Sequence, residues 1–411
     1  MKGLKEIASR NNWDLKLISD VVFFQEGPGV RKHQYTSKGV KLLNVTNILD
    51  GKLDLDSTDR YISEEEAYGK YKHFLVDEGD LLIACSGIQI SYFDKKISFV
   101  SKEDLPLCMN TSTMRFKTNN ENELDIKYFY YYLKSIYFKK QLVRQITGSA
   151  QLNFGPSHIK KMFIIIPEIE YQRKLAEFLD EISKLIEVRN RQIQAYDDLI
   201  ESVFLSTIDS TKYEIIKIDD LVLEKPRRLS KNNTSSISYF DISSIDNLKN
   251  VIKEEKIITE VIDRPGRAKQ LLEENDILLS NVRPNLKNIA YFDFNNTCLA
   301  IASTGFTILR ANIKRINPRF LFYSVLTEEF TEKLLINSTG ASYPAVKEEI
   351  VRDQTIKVPP IELQNKFADY VIKIEKEKKK LYSSLKELEN LFDALMQDAF
   401  SGNLFKDWEG R

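Results

Sequence analysis

The chain resembles itself when displaced by 192 residues, and no other feature of the sequence narrows its fold as much. Thr147-Gly148 falls on Thr339-Gly340, Pro167 on Pro359, Ile169 on Ile361, Gln172 on Gln364 and Ala176 on Ala368. LIESVF (199–204) falls on LFDALM (391–396), and YFYYYL (128–133) on FLFYSV (320–325). With a few residues of extra shift VDEGDLLIA (76–84) meets LEENDILLS (272–280), and KLISDVV near the start meets KIDDLV. Solenoid repeats run to roughly 20–50 residues, so a period this long marks a duplicated unit of domain size.

Each copy has the same internal order. Short Val/Ile/Phe-rich runs such as GVKLLNVTNI, DLLIACSG, NDILLSNV and TGFTILR predict strands. A helical stretch follows (DIKYFYYYLKSIYFKKQLVRQI in the first copy), then a short strand ending in proline, KMFIIIP or QTIKVPP, then a long helix. Those helices carry the clearest periodicity. Steps of four and three from Leu175 reach Leu179, Ile182, Ile186, Arg189, Ile193, Tyr196, Ile200 and Val203; eight of the nine are apolar, where a 42% hydrophobic composition gives about four. One repeat later, Phe367, Val371, Ile374, Lys378, Leu381, Leu385, Leu388, Phe392 and Leu395 score the same. Such a pattern over four heptads is a coiled-coil seam, about 43 Å long at 1.5 Å per residue. Two seams of equal length and period predict mutual pairing, antiparallel if a pseudo-twofold axis relates the copies. Arg189 and Lys378 read as register devices or partly exposed seam positions. The expected fold is α+β: globular segments at 1–165 and 207–357, with helical segments at 166–206 and 358–411.

Charge and cysteine content limit the function classes. Sixty basic residues balance sixty acidic ones, which excludes a protein cationic all over while leaving room for local basic loops. Cys85, Cys108 and Cys298 lie far apart, so a disulfide framework is not expected and a cytoplasmic setting fits. The polar opening MKGLKEIASRNNWDL does not read as a secretory signal, and no apolar run approaches the roughly 20 residues that span a bilayer. There is no P-loop, HExxH or GxSxG, and GPG at 27–29 lacks the third glycine of a dinucleotide loop. No motif for holding an exocyclic amine during methylation occurs, and Glu254-Glu255-Lys256 has a nuclease-like spacing that a chain with 29% charged residues produces by chance. The expectation is a chain that binds and does not itself catalyse, with no metal site.

Residues 27–49 hold no acid but carry Arg31, Lys32, Lys38 and Lys41, interleaved with His33, Gln34, Tyr35, Asn44 and Asn47. The second copy offers Lys225, Arg227, Arg228 and Lys231 in EKPRRLSKNN, Arg264, Arg267 and Lys269 in IDRPGRAKQ, and Arg283, Asn285, Lys287 and Asn288 in NVRPNLKN. Arginine beside Asn and Gln suits both phosphate contact and reading of purine edges. Any one cluster could be a solvated loop; corresponding clusters in both copies favour nucleic acid.

Several motifs, in the same order twice, resemble the specificity subunits of type I restriction-modification systems over nearly the whole chain. They are GVKLLNVTNILDGKLD with LVDEGDLLIACSG, and YFDISSIDN with RAKQLLEENDILLSNVRPNLKNIA; then MNTSTMRF and ASTGFTILR, and TGSAQLNF and TGASYPAV; then FIIIPEIEYQRKLAEFLDEI and IKVPPIELQNKFADYV, with DALMQDAFSGNL closing. The first copy departs in having Pro-Glu-Ile for Pro-Pro-Leu and GPSHI after QLNF. The resemblance implies two target-recognition domains, at 1–165 and 207–357, separated by the two long antiparallel helices, each domain reading one half of a bipartite, asymmetric double-stranded DNA target. Within the motifs it adds Asn110, Ser112, Ser149, Gln151, Ser303, Thr304, Ser342 and Tyr343 to the candidate DNA contacts.

It also implies a subunit inactive alone, serving phage defence, without a membrane and without a cofactor of its own. It would join two modification subunits bearing S-adenosylmethionine, and restriction subunits using ATP and Mg²⁺. A combined cleavage-methylation enzyme is the alternative within the same chemistry; a coiled-coil adaptor that binds no DNA, or a stand-alone DNA enzyme, are the alternatives outside it. If the rod sets the unread spacer, four residues inserted near Arg191 add about 6 Å against about 3.4 Å per base pair. The expected result is a spacer longer by one or two base pairs with both half-sites kept, read by sequencing methylated sites. An unaltered spacer with weakened assembly would restrict the helices to docking.

Overall fold

The computed structural model describes residues 2–56, 60–146, 152–230, 232–340 and 344–404. It divides into two compact units, residues 1–190 with 384–411, and residues 191–383. The cut passes through both long helices, whereas the sequence segmentation treats each as a separate element. The reason is that either helix belongs to a different core at each end.

The first unit opens with α1 (Lys2–Asn11), β1 (Asp14–Leu17), β2 (Val22–Glu26) and β3 (Val40–Leu43). It continues with β4 (Leu81–Ala84), β5 (Ile97–Phe99), β6 (Leu107–Met109), β7 (Thr113–Thr118), α2 (Ile126–Lys134), α3 (Ile136–Gln145), β8 (Phe163–Ile166) and the long α4 (Ile169–Ile208). An antiparallel sheet has the order β2-β7-β4-β5. A smaller sheet pairs β6 parallel to β3, and β1 lies antiparallel to β8.

The second unit holds β9 (Glu214–Lys217), β10 (Ile237–Phe240), β11 (Lys256–Ile258), β12 (Ala268–Leu271), β13 (Ile277–Ser280), β14 (Ile289–Tyr291), β15 (Leu299–Ser303) and β16 (Phe306–Leu309). After them come α5 (Pro318–Leu326), α6 (Glu328–Ile336), β17 (Thr355–Val358) and the long α7 (Ile361–Ser401). The pattern recurs: β14-β13-β16 antiparallel, β10 parallel to β15 in the order β11-β10-β15-β12, and β9 antiparallel to β17. The class is α+β, as the strand-then-helix order of each repeat predicts.

The shared Pro…Gln motif has one physical task in both copies. Gln172 is buried; its amide donates to Pro167 O and Glu123 O, both at 2.8 Å, and its Oε1 accepts from Asp125 N at 2.9 Å. Gln364 is buried likewise, donating to Pro359 O at 2.7 Å and accepting from Asn317 N at 2.8 Å. Asp125 and Asn317 in turn cap the helices that follow them, α2 and α5. One side chain thus ties the start of the long helix to the start of the preceding helical pair.

The seam positions are buried or half-buried along both helices. In the first unit Leu175 and Leu179 at the start of α4 share a core with Met396, Ala399 and Phe400 at the end of α7. In the second, Ile200 and Phe204 at the end of α4 share one with Phe367, Val371 and Ile374 at the start of α7, with the Phe204 and Phe367 rings 5.5 Å apart. The segments run antiparallel in either unit. Ile182, Ile193 and Leu385 are buried; Ile186, Leu381, Leu388 and Phe392 are half-buried. Lys378, off the apolar pattern, is ion-paired with Asp197 of α4. Among the described residues no helix is long and apolar enough to cross a membrane.

Candidate nucleic-acid interface

In the first unit the run Gly27-Pro28-Gly29 carries the chain from β2 along the turn that follows β6. Gly27 N donates to Thr113 O at 3.0 Å, extending the ladder, and a Cβ at Gly27 would lie 2.0 Å from Asn110 O, so only glycine fits. Val30 N then donates to Asn110 Oδ1 at 2.9 Å. A single turn at 32–34 is closed by Arg31 N on Gln34 Oε1 at 3.1 Å, and the Gln34 amide is held by Glu66 at 2.7 Å and the Tyr71 hydroxyl at 3.1 Å. Arg31, Lys32 and His33 therefore stand exposed on a turn locked at both ends. Cys85 N donates to Ser112 O at 2.8 Å, Phe154 N to Cys85 O at 2.9 Å, and Gly87 N to Asn153 Oδ1 at 3.0 Å. Segments 27–34, 85–87, 110–113 and 153–154 thereby form one continuous cluster.

The second unit builds a loop cluster around the matching loop at Asn281. Leu271 N donates to Arg227 O at 2.9 Å and Leu229 N to Lys269 O at 2.8 Å, which lays segment 227–229 along β12. Thr304 N donates to Arg267 O, and Asn281 N to Gly305 O, both at 2.9 Å. The Gln270 amide donates to Ser303 O and Phe306 O, and Asn281 Oδ1 accepts from Thr307 Oγ1 at 2.6 Å. Arg283 N reaches Pro344 O at 2.7 Å. Arg227, Arg228, Arg267, Lys269, Thr304 and Asn285 are exposed on this cluster.

Several sequence-derived candidates have other work. Asn110 is buried; its Oδ1 accepts from Val30 N and Thr111 N while its Nδ2 donates to Asn44 at 3.1 Å, so it braces the turn from behind. Asn47 is likewise buried, holding Asn44 N and Asp54 O. Ser303 is buried and its Oγ accepts from Gly305 N at 3.1 Å. The Arg264 guanidinium donates to the carbonyls of Asn233, at 2.8 Å, and Ser235, fixing a loop. Lys287 is ion-paired with Glu328 at 2.5 Å, and Lys225 with Glu348 at 3.1 Å. Tyr35 is half-buried against the small core cluster that includes Val30, Val40 and Ile62, with the Arg60 guanidinium 5.8 Å from its ring centre. Ser112 is half-buried in left-handed backbone, φ +69°. Ser149, Gln151, Ser342, Tyr343 and Lys231 lie outside the described residues.

Sequence reasoning missed Thr111, exposed beside the first turn, and the positioning pairs Gln270–Ser303 and Asn153–Gly87. Burial pushes the thiols of Cys85 and Cys108 up to about 12, so neither offers a thiolate at neutral pH. Glu255 and Lys256, in the nuclease-like triplet, pair instead with Thr297 and with Asp241, the latter at 2.7 Å.

The type I restriction modification DNA specificity domain family matches residues 10–195. The MjaVIII type I restriction enzyme specificity subunit of Methanocaldococcus jannaschii is 26% identical over 181 residues, 44% of this chain and 42% of that protein. The HindI specificity subunit of Haemophilus influenzae is 26% identical over 186 residues, 44% of this chain and 39% of that one. In these alignments the chain spans less than half the length of either relative. The crystal structure of a type I restriction-modification S subunit from M. genitalium shares the fold, with a TM-score of 0.53 at 15% identity, over 95% of this chain and 97% of that one.

Proposed function

We infer the role of this chain from its similarity to the type I restriction-modification DNA specificity domain and to type I specificity subunits: it selects the double-stranded DNA sequence on which partner subunits act, and performs no chemistry itself. The observation that carries this reading is the duplicated loop cluster. In both units the loop after the buried strand, at Cys85 and at Asn281, is held by corresponding backbone hydrogen bonds, and each unit sets exposed cations on the loop cluster built around it: Arg31 and Lys32 in the first, Arg227, Arg228, Arg267 and Lys269 in the second. Exposed Arg and Lys on a rigid backbone suit phosphate positioning, with neighbouring Asn, Thr and His available to base edges. Each unit is proposed to read one half of a bipartite target. The partners are two methyltransferase subunits, which would bring S-adenosylmethionine, and restriction subunits, which would bring ATP and Mg²⁺. A chain with no net charge fits an assembly in which partners share the phosphate contacts.

Arg227 and Arg228 test the electrostatic half of the proposal. The Arg227 carbonyl and the Leu229 amide that flank Arg228 bond the edge of β12, while the side chains of both arginines are exposed. Replacing both by Ala is expected to weaken binding evenly across sequences and to lower the slope of log K against log salt by up to about 2. Fluorescence anisotropy of the complex with a labelled duplex, across a salt series, reads this out. An unchanged slope removes this segment from the interface.

A further inference from the structure

The two loop clusters can be aligned by their hydrogen bonds, residue by residue. Cys85 N on Ser112 O corresponds to Asn281 N on Gly305 O, and Phe154 N on Cys85 O to Val346 N on Asn281 O, all at 2.8–2.9 Å. One residue on, Ser86 is paired with Asn153 as Val282 is with Ala345. The next position is Gly87 in the first unit and Arg283 in the second. Both have left-handed backbone, with φ +71° and +51°.

Glycine takes that conformation freely; an arginine there is strained by its own Cβ. The second unit holds the strained turn in a collar. Arg283 N donates to Pro344 O at 2.7 Å and Leu286 N to Arg283 O at 2.9 Å. At the far end Lys287 is also left-handed, φ +46°, its carbonyl accepting from the Asn250 amide at 2.8 Å and its ammonium paired with Glu328. The Asn247 amide holds Leu286 O at 2.9 Å. In the first unit glycine holds the corresponding position with the same sign of φ, so a left-handed residue here does not by itself require a side chain. A bulky residue kept in left-handed backbone, inside a scaffold that over-determines it, points to a use for the side chain.

Resting on the DNA-reading role proposed above, we propose that Arg283 is a specificity-determining residue of the second unit, reading the edge of one guanine in the major groove. A guanidinium offers two parallel donors that match guanine O6 and N7. The first unit has no side chain at this position, so the two halves of the target are read differently there.

The test uses the full chain purified with its methyltransferase subunit and a pool of randomised duplexes, from which bound DNA is selected and sequenced. Wild type is compared with Arg283→Gly and Arg283→Asn, both residues that accept left-handed backbone. The expected result is a bipartite motif for wild type, and for both variants the loss of one guanine from one half with the other half unchanged. Affinity for the wild-type duplex falls about tenfold or more, while the thermal midpoint stays level or rises. The asparagine variant preserves the test if the glycine variant fails to fold. An unchanged motif and affinity overturns the proposal, as does weakening that is uniform across sequences, which marks a phosphate contact. A lowered midpoint in both variants overturns it too, since the side chain is then a brace. If wild type itself enriches no motif, the DNA-reading role fails first and this inference with it.

Discussion

Replacing Arg310 by alanine is expected to destabilise the second unit by about 3 kcal/mol or more. Its partner Asp276 is fully buried at the turn that starts β13. Arg310 meets it in a fork, Nε to Oδ1 and Nη2 to Oδ2, both at 2.7 Å, and also pairs with Glu273 at 2.5 Å. The second carboxylate oxygen accepts Glu273 N as well, closing the turn. Burial pushes the Asp276 carboxyl above its ordinary value, and the Arg310 hydrogen bonds oppose that rise. Without the guanidinium the carboxylate is left buried and uncompensated, the costly half of a broken pair. The first unit supplies the control. Strand register puts Phe116 opposite Leu81 and Leu309 opposite Ile277, so Lys117 corresponds to Arg310. Lys117 reaches Asp77 at 2.6 Å and buried Asp80 at 3.0 Å. Arg310→Lys is therefore expected to keep most of the stability that Arg310→Ala loses.

The pH dependence has a definite sign. In Arg310→Ala the folded-state pKa of Asp276 rises further above its unfolded value. The folded state then binds the proton more tightly, and the deficit shrinks as pH falls from 7 through that raised pKa. Urea midpoints by circular dichroism at pH 7 and pH 5 measure it. A deficit under 1 kcal/mol at pH 7 would show that the aspartate finds water or another donor instead.

Phe400→Ala is expected to cost the first unit about 3–5 kcal/mol. Phe400 is fully buried near the end of α7, its ring 5.3 Å from that of Tyr128 and 5.6 Å from that of Tyr132. Both tyrosines are locked in turn, Tyr128 donating to Ile165 O at 2.9 Å and Tyr132 to Phe163 O at 2.6 Å, so they cannot close over a vacancy without breaking those bonds. The helix ends two residues later, at Gly402 with φ +73°, where Tyr171 donates to Ala399 O at 3.1 Å and Arg10 to Ser401 O. Losing the ring should therefore also loosen that end. Faster amide exchange over residues 392–404, together with a lowered urea midpoint, checks it; protection equal to wild type would mean the caps alone hold the helix.

The sequence by itself determined the duplication, the α+β class, both long helices and the seam between them. These are legible because an apolar stripe repeats with the period of the helix, and because a repeat aligns without any knowledge of contacts. It also marked which loops concentrate cations. Only tertiary structure decided which of those cations are available. Arg264 and Arg267 stand three residues apart in one basic stretch, yet the first is committed to the carbonyls of a neighbouring loop and the second is exposed. The resemblance of its motif puts Asn110 among the candidate DNA contacts; the backbone at Gly27 passes so near that Asn110 becomes the brace for it. The strain at Arg283 is equally invisible in the letters, since it arises from a turn whose ends are fixed by Pro344, Asn250 and Glu328, residues 37 to 61 positions away in sequence. Periodicity is a property of one segment, whereas the partner of a polar side chain depends on which distant segment the fold brings alongside.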